Sequence, residues 1–179
     1  MIFAVVALVL VGVVGVLNLA LLLVMLRRWR ELEGAELPSA GAAGVRIIDR
    51  IPSFSAPALD GGTVTERSLL GRESLVGFFS LTCKACVTAV PVFAEHAERL
   101  RATGGTSLAI VHGDGAAKTD LAAKLRDAMD IVIAEDAKAE LSQRFGAKHY
   151  PTYAWYDATG TVTSAGVGVA ALRTELVPT

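Results

Sequence analysis

Ser74-Leu75-Val76-Gly77-Phe78-Phe79-Ser80 runs directly into Leu81-Thr82-Cys83-Lys84-Ala85-Cys86, and this junction decides the fold. Residues Ser74–Ser80 are apolar on both alternating faces, the pattern of a strand buried in the middle of a sheet. From Cys83 the spacing turns helical and continues to about Arg101, with Pro91 expected to interrupt the helix. Two residues between the cysteines let one helical turn bring both sulfurs together. The first cysteine then sits at the helix N-terminus, where unpaired N–H groups and the macrodipole favour a thiolate. Because the thiolate is the attacking species in disulfide exchange, Cys83 reads as nucleophile and Cys86 as resolving thiol. Lys84 adds a positive charge beside them, a further pull toward the thiolate. The plain alternative is a pair of buried cysteines acting as small hydrophobes. Their place at a strand-to-helix junction argues against it.

On either side of the junction, strands and helices alternate. Thr63-Val64-Thr65 follows the Asp60-Gly61-Gly62 turn and reads as a short strand. Ser107–His112 is a second buried strand, and Lys118–Met129 has helical spacing with Leu121, Leu125 and Met129 on one face. Ile131–Ile133 reads as a strand, and Ala137–Phe145 as a short helix ended by Gly146. Tyr153–Tyr156 and Val162–Ala165 flank the turn Asp157-Ala158-Thr159-Gly160, and a last helix is expected over Val169–Leu176. The sum is an α/β sandwich around a mixed sheet.

The N-terminal part differs in kind. Residues 2–26 carry no charge, and Asn18 is their one strongly polar member. As a helix they would span roughly 37 Å, more than the ~30 Å bilayer core requires. They read as a transmembrane helix. A cleaved signal peptide would need a basic start and a shorter apolar run. Arg27-Arg28-Trp29-Arg30 follows instead, as a charged and aromatic interface anchor. Residues 27–44, rich in Glu, Gly, Ala, Ser and Pro, form the linker, and the folded domain occupies residues 45–179.

Composition removes other classes. The 179-residue chain has a formal net charge of −1 and no basic stripe, so nucleic acid is not an expected partner. A structural zinc site needs four Cys/His ligands, usually as two pairs. The chain has two cysteines, and His96, His112 and His149 stand at no ligand spacing, so neither a metal nor another cofactor is expected. Glu95, His96 and Glu98 read as a solvated helix face.

Several of these pieces, in order, resemble the thioredoxin superfamily, and within it the membrane-anchored TlpA/ResA/MauD-like thiol–disulfide reductases. The segment Pro52-Ser53-Phe54-Ser55-Ala56-Pro57-Ala58-Leu59-Asp60-Gly61 resembles the N-terminal extension of that group. Leu75–Cys86 resembles its strand and active-site turn, and Pro91 falls where such proteins kink the active-site helix. Tyr150-Pro151-Thr152 resembles the loop carrying a cis-proline beside the disulfide, and Asp157–Gly160 the following hairpin. The resemblance covers about residues 50–179 and implies a thioredoxin-like three-layer sandwich with a mixed central sheet, preceded here by one transmembrane helix. It implies a cis Tyr150–Pro151 bond, where an X–Pro bond is ordinarily trans. It also implies that Tyr150, Pro151 and Thr152 receive the substrate strand opposite the cysteines.

Two departures bear on mechanism. The buried acid of thioredoxin is replaced by Gly77, and the glutamate that ResA-like proteins place after the second cysteine is replaced by Ala89. His112 is the one further candidate to accept the proton of Cys86, with a surface or hydrogen-bonded histidine as the plainer reading.

The expected activity is thiol–disulfide exchange in protein substrates, as a reductase re-reduced by a membrane or soluble electron donor. The expected location is the cell membrane, single-pass, with the catalytic domain outside the cytoplasm as the resemblance implies. The positive-inside rule points the other way, since Arg27, Arg28 and Arg30 all follow the apolar segment. Two alternatives stand beside this reading. A peroxiredoxin-like antioxidant would need Pro-x-x-x-Thr-x-x-Cys, whereas Thr82 directly abuts Cys83. A membrane-tethered binding module would keep its cysteines unreactive.

Overall fold

The computed structural model describes residues 47–169 together with Phe3, Gly12, Gly15, Asn18 and Leu172. Most of the expected transmembrane segment and all of the linker up to residue 44 lie outside the described residues; Phe3, Gly12, Gly15 and Asn18 are helical. Among the described residues no helix is long and apolar enough to cross a membrane.

The fold is a thioredoxin-like α/β arrangement built on a five-stranded mixed sheet. Strands β1 (Ser55–Pro57) and β2 (Thr63–Thr65) form an antiparallel pair of their own. Strand β3 (Ser74–Ser80), helix α1 (Lys84–Ala102), strand β4 (Thr106–His112), helix α2 (Asp120–Ala128) and strand β5 (Ile131–Glu135) follow. Helix α3 (Glu140–Phe145) leads to the hairpin of β6 (Thr152–Tyr156) and β7 (Val162–Val167). The sheet order is β5-β4-β3-β6-β7. Strands β3, β4 and β5 run parallel, and β6 and β7 are each antiparallel to their inner neighbour.

Central position explains the composition of β3. Every residue of the strand is buried, because helices or loops cover both faces of the sheet. Leu75 and Phe79 point into a cluster with Cys86, Phe93 and Leu100 of α1 and Leu121 and Leu125 of α2. Val76 and Phe78 point the other way, to Leu141 and Phe145 of α3 and to Phe54 and Val64 beside and within the small β1–β2 pair. Three layers result, and α1 leaves the end of β3 on the first face.

Several boundaries differ from those read in the sequence. Helix α1 continues through Pro91 without a break; Pro91 and Val87, whose carbonyl loses its intrahelical partner, are both exposed. Helix α2 starts at Asp120, where Thr119 caps it by accepting the Ala122 N–H at 3.3 Å. A 3-10 turn at Ala116–Lys118 occupies the start that periodicity had given to the helix. Helix α3 begins at Glu140 rather than Ala137, because Ala139 adopts a left-handed backbone (φ 51°) and only then does the chain turn helical. Its end is at Gly146 (φ 82°), as expected. Of the last expected helix, Val169 and Leu172 are helical, and the remainder lies outside the described residues.

His96 corrects another reading. It is only 4% exposed and its Nε2 lies 3.0 Å from the Leu172 carbonyl oxygen, with its ring edge-on to Trp155. Three residues after Phe93 and four before Leu100, it belongs to the buried face of α1. Glu95 and Glu98 do lie on the exposed face.

Candidate active site

The site forms where β3 hands over to α1. Ser80 and Thr82 stitch the connecting turn through their hydroxyls at 3.1 Å, and the Leu81 N–H donates to the His112 carbonyl at 3.2 Å. Cys83 is the N-cap of α1 in an extended conformation (φ −96°), and its carbonyl accepts the Cys86 N–H at 3.1 Å. Both cysteines are free thiols; Cys83 is partly exposed and Cys86 fully buried. Lys84 is exposed at the first position of α1.

The opposite wall comes from the segment before β6. The Tyr150–Pro151 peptide bond is cis, as the resemblance implied. The Cys83 thiol donates to the Tyr150 carbonyl oxygen at 3.2 Å. Pro151 is buried, and its carbonyl accepts the Gly168 N–H at 2.8 Å, which ties the loop to the end of β7. The Thr152 hydroxyl donates to the His149 carbonyl at 2.7 Å. The structure thus brings Cys83, Cys86, Tyr150 and Pro151 into one locus. Thr152 instead turns its hydroxyl back onto its own loop, as the buried first residue of β6.

Cys86 has an apolar setting. Burial, chiefly, raises its thiol from the ordinary 9.0 to about 12, with the neighbouring Cys83 adding to the rise. The Ser80 N–H, 3.5 Å from the sulfur, works the other way but is outweighed. The absence of the two usual acids has a structural counterpart. A Cβ at Gly77 would lie 2.7 Å from the Phe93 ring, which stacks edge-on against Phe79 with centroids 4.9 Å apart. Aromatic carbon fills the volume a carboxylate would need. Ala89 is fully buried one turn beyond Cys86, with no polar atom to offer.

His112 does not take over that role. Leu108 and Ile110 of β4 face the α3 side of the sheet, and strand alternation sends His112 the same way, while Cys86 lies on the α1 side. Its ring packs on Tyr150 instead, centroids 4.6 Å apart and tilted by 42°. Its Nδ1 is buried without a hydrogen-bond partner, and the residue as a whole is half-buried.

Two residues near the site escaped the sequence reading. The Glu135 carboxylate, at the end of β5, accepts the N–H of Leu141 at 2.8 Å, the N–H of Ser142 at 3.2 Å and the Ser142 hydroxyl. Both lie beside Tyr150, whose phenol is raised above its ordinary value chiefly by burial, with the Ser142 hydroxyl opposing the rise. An acid just before a short helix is a capping signal. Glu135 is instead the last residue of β5, so the helix it caps begins beyond the reach of a local capping pattern.

A dithiol at the head of a helix, facing a cis-proline loop on a β5-β4-β3-β6-β7 sheet, defines a protein of the thioredoxin-fold class. Residues 47–165 match the AhpC/TSA family, and the chain belongs to it. It is 29% identical over 151 residues to the thiol:disulfide interchange protein DsbE of Pseudomonas fluorescens biotype C, across 83% of this chain and 79% of that one. Among solved structures, DsbF of MTB is similar at 25% identity and a TM-score of 0.56, covering 67% of this chain and 95% of that chain. A thioredoxin-family thiol:disulfide interchange protein of Chlorobium tepidum TLS shares the fold at 24% identity and a TM-score of 0.54, covering 75% and 100%.

Proposed function

We propose that the chain is a thiol–disulfide oxidoreductase of the TlpA/ResA/MauD-like kind, acting as a reductase of protein disulfides. The observation that carries this reading is the partly exposed Cys83 thiol at the N-cap of α1, held on the Tyr150 carbonyl beside Pro151. The names of the similar proteins support it. In the first step the Cys83 thiolate attacks one sulfur of a substrate disulfide; a Cys83–substrate disulfide forms and one substrate thiolate leaves. In the second, the Cys86 thiolate attacks Cys83 Sγ, closing the Cys83–Cys86 disulfide and releasing the second substrate thiol. Two electrons pass to the substrate, and an external dithiol donor must return them. The test is thiol release from a peptide disulfide by the pre-reduced protein. Two thiols per protein are expected, whereas no release while Cys83 remains alkylatable would overturn the reading and favour a tethered binding module. Peroxide consumption with no disulfide reduction would favour the antioxidant alternative.

The apolar residues 2–26 support a single membrane anchor, and the resemblance supports a catalytic domain outside the cytoplasm, where protein disulfides persist. C-terminal fusions to alkaline phosphatase and to green fluorescent protein test this placement. Active phosphatase and a dark fluorescent fusion are expected; the reverse would put the domain in the cytoplasm, as Arg27, Arg28 and Arg30 favour.

A further inference from the structure

Tyr150 contributes its backbone to the site, yet its side chain is held by groups that the exchange chemistry does not use. His112 packs on one side of the ring at 4.6 Å. The β4–β5 register places Glu135 directly opposite His112, and the Glu135 carboxylate binds the fully buried Ser142 hydroxyl. Tyr150 also packs against the cluster that contains Leu141 and Phe145, the two neighbours of Ser142 on the buried side of α3. Capping α3 needs only the Glu135 carboxylate and the backbone N–H groups of Leu141 and Ser142. The His112 ring is surplus to that task, and it packs on Tyr150.

We propose that His112 is a positioning residue that clamps the Tyr150 side chain and thereby fixes the backbone carbonyl that a substrate strand meets at Cys83. The inference rests on the proposed disulfide-exchange reading. A tyrosine ring packed on imidazole and on the cluster of Leu141 and Phe145 leaves its own main chain little freedom to turn. That carbonyl is held by the Cys83 thiol, and an incoming strand must find it already oriented. The clamp therefore acts on substrates that present a peptide backbone and leaves small disulfides untouched.

The test uses the Cys86→Ser protein, in which Cys83 reacts once and stops. One probe is a heptapeptide whose central cysteine carries a 5-thio-2-nitrobenzoate group, and the other is the symmetrical bis(nitrobenzoate) disulfide, which has no backbone. His112→Ala is expected to raise the half-saturating peptide concentration roughly three- to tenfold. The maximal rate and the rate with the small disulfide should not change. His112→Phe, which keeps the ring contact, should restore the parental value. His112→Leu, which keeps the volume without the ring, reads the clamp even if His112→Ala does not fold. Unchanged half-saturation in His112→Ala and His112→Leu, or equal changes with both probes, would overturn the proposal. A wild-type protein that releases no thiol from protein disulfides would defeat the functional reading, while this single-turnover comparison would still read the clamp.

Discussion

The Cys83 thiol donates to the Tyr150 carbonyl across 3.2 Å, joining two residues separated by 67 positions. The head of α1 and the cis-proline loop are thus one locus, and the two cysteines in it have unequal access. Only the partly exposed Cys83 can meet a protein disulfide first; the buried Cys86 can reach only a bond already formed on Cys83. Cys83→Ser is therefore expected to abolish disulfide reduction. Cys86→Ser should keep the first attack and accumulate mixed disulfides, visible as reductant-sensitive adducts by mass spectrometry. If both variants retain turnover, exchange does not run through this pair.

Burial of Cys86 predicts a steep pH dependence in the second step. With the thiol pushed up to about 12, its thiolate fraction rises about tenfold per pH unit from pH 7 to about pH 11. The contributions of Cys83 vanish once that sulfur is in a mixed disulfide, but desolvation, the larger cause, remains. Rapid-mixing measurement of mixed-disulfide resolution should show this slope, and a plateau near pH 8 would refute it.

The same shift sets the stability of the reduced protein. The folded state favours the neutral thiol, so the contribution of Cys86 is complete below the ordinary 9.0 and is lost as pH rises toward about 12. Thermal melts of the dithiol form should fall through that window more steeply than those of Cys86→Ala. Parallel curves would show that Cys86 does not titrate on unfolding.

How much of this was legible follows from where the information sits. The buried strand, the Cys-x-x-Cys turn and the Asp157–Gly160 hairpin are local patterns, and each element lies within a residue or two of where the sequence put it. Strand β1 was not read because Ser55–Pro57 is too short for a period and contains a proline. Helix α3 was misplaced because its start depends on Glu135, a residue of the preceding strand, and on the left-handed Ala139. Similarly, the contact of His112 with Tyr150 crosses from β4 to the loop before β6, and no local pattern carries a pairing of that kind. Pleat alternation did carry the answer for His112 and Cys86: once both faces of β4 were populated, they fell on opposite sides.

Gly77 offers a packing test. Its missing Cβ is replaced by the Phe93 ring, with Phe79 stacked behind it. Gly77→Ala should cost about 1–3 kcal/mol by overpacking, and Gly77→Asp more, because the carboxylate would be buried without a partner. Denaturant melts at neutral pH measure both. An aspartate variant as stable as the parent would mean that the ring moves aside freely and that this volume can still host an acid.

Ala89 is the gentler place to restore a proton acceptor. It lies one turn after Cys86 on the same helix, at a spacing where side chains meet, and it faces the same core. A glutamate there has a chain long enough to carry its carboxyl toward the sulfur, and its own burial would raise its affinity for a proton. Positioned acid–base groups contribute about 10²–10⁴-fold to proton-transfer steps. Ala89→Glu should therefore accelerate resolution of the mixed disulfide at pH 7 at least about tenfold and flatten its pH dependence, with the first attack by Cys83 unchanged. A variant that folds but resolves no faster would show that deprotonation of Cys86 does not limit the second step, and that access of the buried sulfur to Cys83 does.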